Sequence, residues 1–373
     1  MGEHQVIIIG GGLAGLSAGI HLARRGIRVM IIEKDDFPRH KVCGEYVSRE
    51  IGGYLKDLGA DLEPLQAPLI KRFLLSGVDG KSVLTSLETG GWGLSRYAFD
   101  FHLYKRAQEC GVKILKETVT GVVSDEGKFR IDTLKGSAFQ AVVVLGAFGK
   151  RSRLDQSLER PFFEKKTRWM AIKSHYEHPD FPEDLVALHH FRGGYCGLSR
   201  TESGAVNLCY LTTVDAYKSG SGEGGFGEDL LAQNPHLESF LSRSRPLFKK
   251  PLGIAQVSFA RKSAVVDHIL MLGDAAGLLH PLCGNGMAMA VRSAKLAAEL
   301  TLERLSNRMS SQQMERAYIK GWNSQFRNRI RTGRVLQRLL LNQKASSMAI
   351  PVLKSMPGLL PRIISVTHGT QLV

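Results

Sequence analysis

Val6-Ile7-Ile8-Ile9 is apolar at every position and runs straight into glycines. Such a run suits a strand buried on both faces of a parallel sheet rather than one with a wet side. Residues 13–25 then show helical spacing of apolar positions and stop at Gly26, and residues 27–32 predict a second strand, which closes a βαβ unit. Further along, residues 94–110 read as an amphipathic helix, 141–145 and 269–272 as buried strands, and 287–305 and 314–341 as long helices. Between positions 160 and 258 the pattern changes to short alternating runs, at 169–175, 186–191 and 205–212. Alternation predicts an antiparallel sheet, to which residues 73–75 and 82–84 add two short strands, so two units interleave along the chain.

Composition changes this picture in one place. The 373 residues, 43% hydrophobic and 23% charged, are ordinary for a globular protein with two units sharing a large core. The net charge of +15 is uneven, because residues 301–373 hold twelve Lys or Arg against only Glu303 and Glu315. No nucleic-acid motif accompanies this basic end, so no nucleic-acid partner is expected. Two placements stay open for it: flat on an anionic membrane surface as a basic amphipathic end, or packed on the alternating-strand unit with its arginines solvated. Five cysteines (Cys43, Cys110, Cys196, Cys209, Cys283) with no CxxC pair, and no histidines at metal spacing, point to a reduced protein without a metal site. No stretch approaches the roughly 20 uninterrupted apolar residues of a transmembrane helix. The expectation is a cytoplasmic protein, with peripheral membrane contact through the C-terminal region as the open alternative.

The chemistry begins at Gly10-Gly11-Gly12-Leu13-Ala14-Gly15. Gly10 permits a tight turn, Gly12 lets backbone approach a pyrophosphate, and Gly15 allows helix to pack closely on strand. The helix N-terminus beginning at Leu13 and Ala14 offers unpaired N–H groups and partial positive charge to phosphate. Glu33, with Lys34 beside it, ends the second strand where an acid accepts hydrogen bonds from ribose hydroxyls. An acid there disfavours a 2′-phosphate, so the loop fits FAD or NAD better than NADP. Some 260 residues later Gly273-Asp274-Ala275-Ala276-Gly277 and Pro281-Leu282-Cys283-Gly284-Asn285-Gly286 form a second glycine-rich segment before a helix. Two such loops so far apart imply a long ligand held by both ends of the chain.

Taken with Pro38-Arg39-His40-Lys41-Val42-Cys43-Gly44, these motifs resemble the p-hydroxybenzoate hydroxylase superfamily of flavoproteins, in its geranylgeranyl reductase-like branch, over roughly residues 5–300. The resemblance implies an α/β fold: a glutathione-reductase-type, Rossmann-like FAD-binding domain (1–75, 96–158 and 260–305), an interleaved antiparallel-sheet substrate domain (76–95 and 159–259) and a basic helical C-terminus (306–373). It implies that Arg39, Lys41, Val42, Cys43 and Gly44 lie along the flavin, with Cys43 the ring-proximal thiol and a candidate catalytic residue. It also implies that Arg96 and Val119 contact the cofactor, that Gly146 and Gly149 form a third loop, and that Asp274 bonds the ribityl chain. Gly273, Pro281, Gly284, Asn285, Gly286 and Met287 would then bring a helix N-terminus to the flavin's pyrimidine edge.

Three departures matter. Phe148 replaces the aspartate of the third loop, which puts direct NAD(P)H use in doubt. In Gly194-Tyr195-Cys196-Gly197-Leu198-Ser199-Arg200, Gly197 stands where the reductases and flavin halogenases carry Trp, and Ser199 where they carry Phe. The halogenase WxWxIP motif is missing. Tyr195, Cys196, Gly197 and Cys283 are the expected substrate-pocket residues. The implied function is FAD-dependent oxidation or reduction of a hydrophobic small molecule with NADH or NADPH as donor. Monooxygenase chemistry is narrowly preferred because the reductase substrate motif is the part that decays. Alkene reduction is the alternative, and an electron-transfer flavoprotein without turnover a third reading. His189, His190 and His280 are the candidate general bases.

Overall fold

A computed structural model describes residues 4–125, 127–220, 227–279, 285–341, 343–367, 369 and 371–372. In chain order the elements are β1 (His4–Ile9), α1 (Leu13–Ala23), β2 (Val29–Glu33), β3 (Tyr46–Ser48), α2 (Gly52–Asp57), β4 (Leu69–Ser76), β5 (Ser82–Gly93), α3 (Arg96–Glu109) and β6 (Lys113–Lys116). β7 (Val119–Asp125), β8 (Lys128–Thr133), β9 (Ala138–Gly146), α4 (Arg153–Ser157) and α5 (Pro161–Glu164) follow. Next come β10 (Trp169–Glu177), β11 (Leu185–Phe191), β12 (Gly194–Arg200), β13 (Val206–Thr213), α6 (Val214–Gly220), α7 (Glu228–Leu231), α8 (Pro235–Ser242), β14 (Arg245–Pro246) and β15 (Leu252–Ile254). The chain closes with β16 (Val265–Val266), β17 (Ile269–Met271), α9 (Gly286–Leu305), α10 (Ser311–Leu341), α11 (Gln343–Ser355) and α12 (Leu359–Thr367).

The strands form two sheets. The first runs β16-β17-β9-β1-β2-β6, with β7 and β8 paired at the β9 side. β1 lies parallel between β9 and β2, so Val6, Ile7 and Ile8 are fully buried, as an unbroken apolar run requires. Burying each of these side chains contributes about 1.5–3 kcal/mol relative to exposure. α1 and α9 cross this sheet side by side, and Tyr318 of α10 fastens the next layer by donating its hydroxyl to the Met271 carbonyl at 2.6 Å.

The second sheet runs β14-β10-β13-β12-β11-β4-β5-β3, with β15 on β10. It corrects the expected layout in two ways. β4 pairs with β11 in parallel, so the sheet is mixed rather than wholly antiparallel. β3 and β4 belong to this sheet by their pairing, so residues 46–48 and 69–72 leave the first unit, while 73–75, which fall inside that unit's bounds, join this sheet as their alternation predicts. The apolar content of β3 and β4 is compatible with either sheet, and long-range pairing decides which they join.

The C-terminal helices are packed. α10 lies on α9, while α11 and α12 lie against β5. Ile350, Leu353 and Leu360 share an apolar cluster with Leu75, Leu188, Tyr195 and Leu211 of the second sheet. Arg329 is not solvated: with Arg292 it pairs with Glu50, whose side chain is fully buried. Gly369 N–H donates to the same carboxylate, and Leu372 N–H to the Glu50 carbonyl, so the tail is strapped beside α2.

Candidate functional site

A cavity of about 780 Å³ opens between the two sheets, at the C-terminal ends of the parallel strands β1, β2 and β9. Ligands of open α/β sheets gather at those ends because the loops and helix N-termini converge there. Gly10, Gly12, Leu13 and Ala14 form one end of the cavity floor. Gly10 sits at φ +106°, a conformation that L side chains rarely adopt, and a Cβ there would run into the Ala147 backbone. Gly15 lies one layer behind, where a Cβ would collide with the Gly10 carbonyl oxygen. α1 starts at Gly12 with no side-chain cap, which leaves its first N–H groups for a ligand.

Glu33 faces this end. Its Oε2 accepts from Gly11 N–H at 2.6 Å, and its Oε1 accepts from Asp35 N–H and Arg39 Nη2, both at 3.0 Å. Burial alone pushes the Glu33 carboxyl up, but Arg39, the two backbone N–H groups and Lys41 together hold it below its ordinary value. The carboxylate therefore stays charged and keeps lone pairs for ribose hydroxyls.

A second charged cluster borders the middle of the cavity. Asp100, 1% exposed, receives Arg96 in a bidentate pair at 2.7 and 2.8 Å and Lys41 at 2.6 Å. Here burial again opposes ionisation of Asp100, and the two cations overcome it. Asp100 thus positions two cavity-lining cations, while Ser95 is the residue that caps α3.

The remaining expected cofactor residues separate by position. Lys34, Arg39, Val42, Cys43, Gly44, Val119, Gly149, Gly273, Asp274, Asn285, Gly286 and Met287 line the cavity together with Lys41 and Arg96. Gly146 ends β9 behind it, packed on Met271 and Phe148. Pro281, Cys283 and Gly284, and His280, lie outside the described residues. Lys262, not singled out from sequence, donates to the carbonyls of Lys150 at 2.7 Å and Asp274 at 2.8 Å, which ties the third loop to the last one. Burial lowers its ammonium to about 8 against the pull of Asp274 and Asp155.

The substrate side differs from expectation. Gly197 lines the cavity, but Tyr195 is buried in the apolar cluster beneath α11, and Cys196 packs on the opposite face of the sheet. Alternation along β12 puts Cys196 out of reach, since neighbouring residues point to opposite faces. Arg200 is also structural, donating to the carbonyls of Phe181, His178 and Gly204. Neither His189 nor His190 lines the cavity: their Nδ1 atoms bond the Ser76 hydroxyl at 2.8 Å and the Ser76 carbonyl at 3.0 Å. Burial lowers them to about 3 and about 4, so both are neutral at physiological pH.

What the sequence reading missed is the bracket that joins the sheets. Glu45, next after Cys43-Gly44 in the flavin segment, is fully buried at φ +55°. Its carboxylate takes the Lys173 ammonium, His175 Nε2 at 2.7 Å and Arg96 N–H at 2.8 Å. Lys173 Nζ reaches the Lys41 carbonyl at 3.3 Å, Asn207 Nδ2 the Cys43 carbonyl at 3.2 Å, and Ser199 Oγ the Gly44 carbonyl at 3.3 Å. Strands β10, β12 and β13 therefore hold the backbone of the flavin segment from beneath. A lysine inside the apolar run Trp169-Met170-Ala171-Ile172-Lys173 was the available signal, since a charge on a buried strand face needs a partner. His40, Glu45 and His175 offer ligand atoms within 4.8 Å of one another, but Lys173 already neutralises Glu45 and repels a further cation. Burial, then Lys173 and His175, lower His40 to about 4.

The cradle fits a dinucleotide: glycine positions that admit no Cβ, an uncapped helix N-terminus, a charged ribose acceptor and two fixed cations. A model of the FAD binding domain family matches residues 3–320. The chain is 24% identical over 342 residues to the digeranylgeranylglycerophospholipid reductase of Methanococcus aeolicus, across 87% of this chain and 83% of that one. Among solved structures, the flavin-dependent brominase Bmp2 superposes with a TM-score of 0.79 at 20% identity, covering 98% of this chain and 93% of that one. A geranylgeranyl bacteriochlorophyll reductase-like protein from Thermoplasma acidophilum gives a TM-score of 0.75 at 20% identity, covering 99% and 92%. At these identities the structural likenesses show the fold alone.

Proposed function

Because the chain belongs to the FAD binding domain family and is an FAD-dependent oxidoreductase, we propose that it reduces carbon–carbon double bonds in a long apolar substrate. The observation that carries this reading is the cavity's second-sheet wall. Strands β4, β5, β11, β12 and β15 present Phe73, Leu87, Val186, Leu188, Gly197 and Ile254, and Ile364 of α12 closes the roof. Such a wall binds a chain by burial at about 25 cal/mol per Å², and none of the residues just named is a base. Hydroxylation of a phenol is helped by a base at the hydroxyl, and both described candidates, His189 and His190, are committed to Ser76. The names of the archaeal relatives agree with reduction of unsaturated lipid chains.

FAD, when bound, supplies the hydride chemistry. The chain's own residues hold and orient it. Gly10, Gly12 and the α1 N-terminus would take the pyrophosphate, Glu33 the ribose, Asp274 the ribityl chain, and the α9 N-terminus the pyrimidine edge. Reduction of an alkene puts a hydride on one carbon and a proton on the other. In this reading Cys43, which lines the cavity and whose carbonyl accepts from Asn207, hands over that proton from Sγ. The apolar second-sheet wall keeps water from the bound chain, and NADH or NADPH supplies the electrons in this reading.

Hydroxylation of a long-chain aromatic is the second reading. The space above Gly197 favours it, since a Cβ there meets only two carbonyl oxygens at 3.7 and 4.0 Å. One experiment separates the two. The FAD-loaded protein is photoreduced and mixed, without oxygen, with a polyunsaturated isoprenoid alcohol. Return of the oxidised flavin spectrum with a product heavier by two hydrogens supports reduction. A flavin that stays reduced until oxygen is admitted, with a product heavier by one oxygen atom, overturns it in favour of hydroxylation.

A further inference from the structure

From Arg316 to Val373 the chain carries ten Lys or Arg and no Asp or Glu. Nothing in the cavity accounts for that charge. Its last part is the α11–α12 pair, which bends by 110° at residues 356–358. The inner face of this elbow carries Ile350, Leu353 and Leu360, buried on the second sheet, and Ile364, which reaches the cavity. The outer face is unusual. Val352, Met356 and Val366 are 46%, 55% and 55% exposed, and the exposed cations Lys354 and Arg362 stand among them. Neither helix spans a bilayer: α11 has 13 residues, about 20 Å of helix. Exposed apolar tips flanked by cations, with no acid in either helix, fit the boundary between headgroups and acyl chains of an anionic bilayer.

A second opening lies at the same place. A cavity of about 30 Å³ runs along the seam between β5 and α12, bordered by Thr89, Pro361 and Ser365. It shares Tyr46, Leu87 and Ile364 with the main cavity. The seam thus runs from the elbow to the edge of the site, with Tyr46, Leu87 and Ile364 at its inner end and Ser86, Glu88, Thr89 and Ser365 along it.

We propose that the α11–α12 elbow seats the protein on an anionic lipid surface, and that the β5–α12 seam is the port by which an apolar chain passes from the bilayer into the cavity. The port rests on the apolar-substrate reading above; the seat does not. The FAD-loaded full chain is floated with vesicles of phosphatidylcholine mixed with phosphatidylglycerol, and with phosphatidylcholine alone. Flotation with the mixed vesicles only, weakened by salt and cut at least ~10-fold by Val352→Glu/Met356→Glu, is the expected result. Both positions are exposed, and an unchanged flavin spectrum and unchanged turnover of a detergent-dispersed isoprenoid show that the variant is folded. No flotation, equal flotation of the variant, or retention on duplex DNA in place of vesicles overturns the seat. Ser365→Trp, at the mouth of the seam, is expected to float normally yet to turn over vesicle-borne isoprenoid several-fold more slowly than detergent-dispersed isoprenoid. Equal slowing, or none, overturns the port. Flotation without any turnover would instead retain the seat and count against the proposed reaction.

Discussion

The two walls of the cavity are built on opposite rules. The first-sheet wall is mostly backbone and charge: glycines, helix N-termini, Glu33, and the Asp100 pair with Arg96 and Lys41. Its tightest positions, Gly10 and Gly15, have no room for a Cβ, and a missing charge or a moved carbonyl is felt directly. The second-sheet wall is side-chain volume, Phe73, Val186, Leu188 and Ile254, on which residues of similar size are interchangeable. A cofactor of fixed shape calls for the first kind of wall, and a substrate that varies between relatives permits the second. Between them sits the Lys173–Glu45–His175 bracket, which belongs to neither rule and holds one wall against the other.

The largest effect is expected from breaking the first wall. Gly15→Val puts a side chain against the Gly10 carbonyl, so it should weaken FAD binding by roughly 100-fold, or about 2.7 kcal/mol. Flavin absorbance after gel filtration reads this, and a yellow, stoichiometrically loaded variant would contradict the assignment of the loop.

Next comes the bracket. Lys173→Met leaves a fully buried carboxylate without its ammonium and should cost about 3–5 kcal/mol of stability. The double variant Lys173→Met/Glu45→Gln removes the unpaired charge and should recover most of that loss in urea unfolding. If the single and double variants unfold at the same concentration, the bracket is not what joins the walls.

The smallest effect on folding is expected at the second wall. Gly197→Trp restores the indole usual in the reductases, and a Cβ there meets no atom closer than 3.7 Å. The variant should keep its flavin and its stability while turnover of a long isoprenoid falls by about 10-fold as the cavity narrows. A change in flavin loading instead would mean that the walls are not independent.

The same contrast governs how far the chain could be read in advance. Gly10, Gly12 and Glu33 answer to short-range geometry, a turn, a helix start and a strand end, whereas Lys41, Cys43, Arg96 and Asp274 were expected through the family resemblance of their segments; all seven line the cavity. Their chemistry is written within a few residues, so sequence alone determined the α/β class, the dinucleotide cradle and the basic, acid-free end. Three things waited for the tertiary structure. Residues 46–48 and 69–72 joined the second sheet because strand pairing is decided by partners far along the chain. Cys196 turned away from the cavity and Leu188 into it because a strand's pleat sends neighbours to opposite faces, and only packing says which face is inner. Glu45 met Lys173 and His175 across about 130 residues, because burial of a charge selects its partner by position in space: the apolar run around Lys173 marks the need for a partner but does not name it.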